Sequence, residues 1–135
     1  MRALYLASTE ATAWAEWYRH SAELGVPPQT RLPRSVYRFE VEVDGVADLT
    51  AADVLAAHGL AQLMPTRRQW PRTQPIGEAY WRAGWRGLLV PSAAHAEGRV
   101  LVVFRDKNGE AAGVKPMPRP RLHEELPPLP VGLRT

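Results

Sequence analysis

Three side chains in this sequence have the chemical types and positions of a reactive site: Tyr5, Glu16 and Ser92. Glu16 is a carboxylate placed between Trp14 and Trp17 and downstream of Tyr5, so aromatic surface flanks an ionisable group. An acid, a phenol and a hydroxyl are groups that stabilise charge and hydrogen-bond a ligand. Each also has a plainer account. Tyr5 fits as a core aromatic, Glu16 as an ion-pair partner of Arg19 or His20 one turn along a helix, and Ser92 as a turn cap.

Other chemistries find less support. His20, His58, His95 and His123 each stand alone, without an i, i+4 partner or a carboxylate at ligand spacing, and no metal site is expected from them. With no cysteine, neither a disulfide framework nor a thiolate metal site can form. Ser92 lies in VPSAA, which is not the G-x-S-x-G elbow of a serine hydrolase. The ten glycines are scattered and none form a G-x-G-x-x-G phosphate loop. The stretch TRRQWPR, Thr66 to Arg72, sets Trp70 among Arg67, Arg68 and Arg72. It could contact pyrophosphate or nucleic acid with Trp70 stacked on a base. A solvated loop with Trp70 tucked inward is the plainer reading.

The elements that must position these groups begin at the N-terminus. Ala3 to Ala7 alternates like a strand, Ser8 or Thr9 supplies an N-cap, and Glu10 suits the positive end of the helix dipole. Ala11, Trp14, Ala15, Tyr18 and Ala22 mark one apolar helix face, and Gly25 followed by Pro27-Pro28 ends the helix. Arg34 to Asp44 reads as one strand, with Tyr37, Phe39, Val41 and Val43 on one side and Arg38, Glu40 and Glu42 on the other. Asp44-Gly45 turns the chain, and Thr50 with Asp53 caps a short helix reaching His58-Gly59. Gln62 to Gln74 reads as irregular, and Pro75 as the first turn of a helix whose face is Ile76, Ala79, Tyr80 and Ala83, ending at Gly84. Gly87 to Pro91 and Val100 to Phe104 have the composition of buried strands.

Six of the 13 prolines fall between Pro116 and Pro130. The chain is therefore divided into residues 1–106, a folded domain, and 107–135, a Pro-rich extension that is extended and either pinned to a surface or loose. Four or five strands and two or three helices give an α+β (mixed α/β) fold for the 135 residues. No apolar run approaches the ~20 residues of a membrane span, and Arg2 precedes too few apolar residues for a signal peptide, so a cytoplasmic location is expected. The net charge is +3, and 15 of the 17 basic residues are arginine, which suits phosphate binding; a GC-rich coding sequence explains the same bias.

Two separated motifs carry a family resemblance. LYLASTEATAWAEW, from Leu4 to Trp17, resembles the core segment of RES-domain proteins. WRAGWRGLLVPSAA (Trp81 to Ala94) and RVLVVF (Arg99 to Phe104) resemble that family's serine-bearing strand and the strand after it. Val46 to Thr50 is similar to the entry into its middle helix, so residues 3 to 105 are covered. RES domains are toxins of Xre–RES toxin–antitoxin pairs. The resemblance implies an ADP-ribosyltransferase-like fold that takes NAD as substrate and breaks its nicotinamide–ribose bond, with phosphate, water or a protein side chain as acceptor. It implies Glu16 and Ser92 as the catalytic pair, both also binding NAD, and Tyr5 as the tyrosine lining the nicotinamide pocket. No metal is implied, and the expected partner is an Xre-type antitoxin. Met1 stands four residues before Tyr5, leaving no room for the arginine that the family carries upstream. The arginine contact to NAD phosphate is then missing unless Arg67, Arg68 or Arg72 takes it over. A non-catalytic module that binds NAD or an antitoxin is the alternative, and a nucleic-acid-binding domain a weaker one.

Overall fold

In the computed structural model, which describes residues 2–60, 70–105 and 113–134 (side chains of 70–72 excepted), the chain opens as its local signals direct. Strand β1 (Ala3–Ala7) runs into helix α1 (Glu10–Leu24). The Thr9 side chain accepts from the Thr12 backbone N–H, and Gly25 closes the helix at φ 65°, a left-handed conformation that glycine adopts without strain. Trp14, Ala15 and Tyr18 are buried, while Ala11 and Ala22 at the margins of the expected face are exposed. Thr12 and Ser21 are buried in their place. Both are satisfied there: Ser21 Oγ donates to Trp17 O at 2.8 Å, and Thr12 bonds to His95.

β1 forms the edge of a four-stranded sheet of order β1-β6-β5-β4, from β4 (Val46–Asp48), β5 (Gly87–Pro91) and β6 (Arg99–Phe104). β4 and β5 are parallel; the other pairs are antiparallel. The two faces have different fates. Leu88, Val100, Val102 and Phe104 point with Ala47 and Leu49 into the core, where Val54, Tyr80 and Trp81 cover them from helices α2 (Ala52–Ala57) and α3 (Trp70–Arg82). Phe104 is 1% exposed, and truncating such a side chain costs about 3–5 kcal/mol. On the opposite face, Leu6, Leu101 and Leu89 lie in register across β1, β6 and β5 and floor a cleft.

Several expectations are corrected. The strand from Arg34 to Asp44 is two short strands, β2 (Arg34–Val36) and β3 (Phe39–Val41), broken where pairing passes from one partner to another. Those partners come from the Pro-rich segment: β7 (Val114–Pro116) pairs with β3, and β8 (Arg121–His123) with β2. Short paired segments of this kind raise the strand count to eight among the described residues. The α2 N-cap is Ala51, because Thr50 turns back to bond Asp48 through both its backbone N–H and its hydroxyl. That contact holds the Asp48 carboxyl below its ordinary pKa.

α3 begins at Trp70, so Trp70 to Gln74 is helical and Pro75 lies inside the helix. Pro71 sits in the first turn, where a missing N–H costs nothing. Ile76 and Tyr80 turn inward from α3 as expected, but Ala79 and Ala83 are exposed and Trp81 packs inward in their place. Residues 62–69, with Arg67 and Arg68, lie outside the described residues.

Candidate active site

α1 and the end of β5 bring two of the three candidate groups together. Ser92 follows Pro91, the last residue of β5, and its Oγ donates to Glu16 Oε1 at 2.7 Å across 76 positions of sequence. The same oxygen accepts the backbone N–H groups of Ala94 and His95, each at 3.1 Å. Ser92 is 2% exposed, and all its hydrogen-bonding capacity is directed by these three contacts. A hydroxyl donating to a carboxylate is among the stronger neutral-to-charged bonds. Glu16 does not pair along its helix, since Arg19 bonds Glu23 at 2.7 Å and His20 is exposed. Its second oxygen, Oε2, has no hydrogen-bond partner among the described residues.

A second polar chain runs beside the first. His95 Nε2 lies 2.8 Å from Val131 O, a pure acceptor, so this nitrogen carries the proton in the neutral ring. Nδ1 is then an acceptor, and takes the Thr12 hydroxyl at 2.9 Å. Thr12 Oγ1 in turn accepts from Thr9 at 2.9 Å. The packing is tight enough to exclude a side chain at Gly98, where a Cβ would stand 2.6 Å from Thr12 Oγ1. This chain orients the loop after Ser92, which the C-terminal residues also grip: Ala96 N donates to Gly132 O and Arg134 N to Ala94 O. Sequence reading treated His95 as solitary. Its partners are 83 and 36 positions away, and no local pattern reports them.

Tyr5 stands apart from this pair. It is 68% exposed and lines a cleft of about 840 Å³, within the range of small-molecule sites. Leu6, Leu89 and Leu101 are the floor, and the first turns of α1 add Thr9, Glu10 and Ala13. The far wall is the ribbon of β2, β3, β7 and β8 with their connections: Tyr37, Arg38 and Phe39 on one side and Met117, Arg119 and Arg121 on the other. Tyr37 and Phe39, expected on one side of a strand, are 54% and 37% exposed and border this space. Neither Glu16 nor Ser92 lines the cleft. Ala13 does, one helical turn before Glu16, or ~4.5 Å along the axis.

Charge within the cleft is arranged unevenly. Partial burial works against the Glu10 carboxylate, but hydrogen bonds from Arg121 and Trp14 and the positive charges of Arg121 and His123 outweigh it. Its pKa is held below the ordinary value. Arg121 and Glu10 form an ion pair that ties β8 to α1, with His123 Nε2 3.5 Å from the same oxygen. Among the described residues there is no group of three or more His, Cys, Asp or Glu able to hold a metal.

The RES-domain family model matches residues 1–126. Among solved structures, a chain in the crystal structure of the M. tuberculosis MbcT–MbcA toxin–antitoxin complex is similar, with a TM-score of 0.73 and 24% identity over 98% of this chain and 70% of that one. No curated protein matches the sequence. The mixed α/β fold is therefore shared with that structure.

Proposed function

Since this chain belongs to the RES-domain family, we propose that it is the NAD-degrading toxin of a bacterial toxin–antitoxin pair. The reaction cleaves the nicotinamide–ribose bond. Its electron pair leaves on the ring nitrogen, cancelling the positive charge there, and an oxygen of water or phosphate adds to the ribose C1 and sheds its proton; a protein side chain is the other acceptor class. Positive charge builds on the ribose in the transition state, as in glycoside hydrolysis.

The observation that carries this reading is the Glu16–Ser92 hydrogen bond, a fixed carboxylate one turn of α1 from a cleft lined by Tyr5. Ser92 holds Oε1 and leaves Oε2 open to a ribose hydroxyl and to the developing charge. Ser92 in this reading positions Glu16, a narrower role than direct contact with the nicotinamide carboxamide. Tyr5 offers a flat face to nicotinamide and a phenol to hydrogen-bond it. No metal takes part. Within the Pro-rich extension 107–135 that follows the 1–106 domain, Met117, Pro118, Arg119 and Arg121 wall the cleft. An Xre-type antitoxin is the proposed partner, supported by the toxin–antitoxin complex to which the chain is similar, and the cytoplasm the proposed place of action. The test is nicotinamide release from NAD, with and without phosphate, by the wild-type chain and by Glu16→Gln.

A second reading is favoured by one observation: the Ser92 hydroxyl is buried and fully engaged, as in a structural clasp. The chain would then sequester NAD or an antitoxin without turnover. NAD would raise its melting temperature and release no nicotinamide. The nucleic-acid reading rested on Arg67, Arg68, Trp70 and Arg72, whose side chains lie outside the described residues.

A further inference from the structure

We infer that the ribbon wall of the cleft is a nucleoside-diphosphate subsite, in which Arg38 and Arg119 take the two phosphates and Tyr37 with Phe39 stacks the base. This assignment rests on the NAD reading above and deepens it, placing the half of the dinucleotide that does not react.

Four charged side chains line the cleft: Glu10, Arg38, Arg119 and Arg121. Glu10 and Arg121 neutralise each other in an ion pair. Among the described residues no carboxylate lies within ion-pair distance of Arg38 or Arg119, so the cleft keeps two uncompensated guanidinium groups facing a shared space. Guanidinium is the side chain best matched to phosphate oxygens, which it can hold bidentately. A neutral ligand would leave both charges unanswered; a diphosphate answers them.

Backbone geometry aims these groups. In an unbroken strand Arg38 would point away from Tyr37 and Phe39. The break between β2 and β3 lets all three line the cleft. Met117 N donates to Arg38 O at 2.7 Å, joining this break to the loop that carries Arg119. Arg119 stands between Pro118 and Pro120 at φ 66°, a left-handed conformation unfavourable for a side-chain-bearing residue. A glycine would sit there with less strain, so backbone preference does not account for the arginine, which is exposed and lines the cleft. Strain of this kind is characteristic of ligand clamps. Tyr37 and Phe39 have ring centroids 6.5 Å apart at 38° and are both partly solvent-exposed. Exposed aromatics beside arginines are the usual platform for a nucleobase.

The test is calorimetric titration of the full chain with ADP and with adenosine at low salt. ADP is expected to bind at least about tenfold more tightly than adenosine, the size of one charge-assisted contact. Arg38→Ala and Arg119→Gly should each weaken ADP by at least about tenfold and adenosine little. Arg119→Gly should do so with an unchanged or higher melting temperature, which separates a binding role from a structural one. Tyr37→Ala should weaken both ligands, and Arg82→Ala, an exposed arginine paired with Glu78 on α3, neither. Equal affinity for ADP and adenosine, or ADP affinity indifferent to both arginine changes, overturns the assignment. Nicotinamide release is scored separately on the same proteins. A chain that consumes NAD but ignores ADP refutes the subsite alone, and one that binds ADP through these arginines but releases no nicotinamide refutes the enzymatic reading alone.

Discussion

The Glu16–Ser92 pair and the ribbon wall of the cleft are built on opposite principles. In the pair the Ser92 hydroxyl is buried and saturated: it makes three directed contacts, at 2% exposure, between a helix and a strand end. The wall is open and under-committed, with exposed rings, two arginines without acidic partners among the described residues, and short strands at its edges. Rigid, satisfied polar groups fix geometry, whereas unsatisfied ones wait for a ligand. Under the proposed function, the first region orients the reacting bond and the second captures the substrate.

The largest separation between the two is expected from Ser92→Ala. It leaves the buried Ala94 N–H, the part-buried His95 N–H and Glu16 Oε1 without a partner, at about 2–3 kcal/mol of folding stability, read by denaturant unfolding. Tyr5→Ala, in the open region, should change stability by less than about 0.5 kcal/mol, since the ring is already exposed. It should still weaken NAD binding by about 1–2 kcal/mol, measured as a shift in Kd. If Tyr5→Ala destabilises the fold as much as Ser92→Ala, the contrast is wrong.

The smallest effect concerns the ion pair at the junction of the two regions. The folded-state pKa of Glu10 lies below its unfolded value, so its contribution is fully present above the unfolded pKa and is lost as pH falls through the folded one. The wild-type chain should lose stability on acidification across the carboxylate range, by less than about 1 kcal/mol from this group because the pair is partly exposed. Arg121→Ala should flatten that slope. A steeper slope in the variant would contradict the stated cause.

What could be read from the sequence follows from how local each signal is. β1, α1, the Thr9 cap and the Gly25 terminus were legible because each depends on residues within one turn. β5 and β6 were legible because a continuous apolar run has few other uses. The ribbon was not. Alternation from Arg34 to Asp44 correctly indicates extended chain, but the break at Tyr37–Arg38 is set by partners some 80 residues away, and nothing local encodes it. β7 ends on Pro116, and a proline denies a central strand but is tolerated at an edge. For Thr50 two local bonds compete, and Asp48 two residues back wins over a cap with Asp53 three residues ahead.

The site divides the same way. The meeting of Glu16 with Ser92 came into view through resemblance rather than periodicity. Alternation puts Arg38 on one side of a strand and Tyr37 with Phe39 on the other, and Arg119 falls in the Pro-rich extension, whereas the cleft they border exists only once the C-terminal segment folds back.

The central claim is that the Glu16 carboxylate does chemistry and is more than a brace for Ser92. Glu16→Gln keeps an acceptor for the Ser92 hydroxyl and removes only the charge, so the melting temperature should hold while nicotinamide release under saturating NAD falls by about 10²–10³-fold. Equal release by the two folded proteins, or none from the wild type with or without phosphate, would contradict the account.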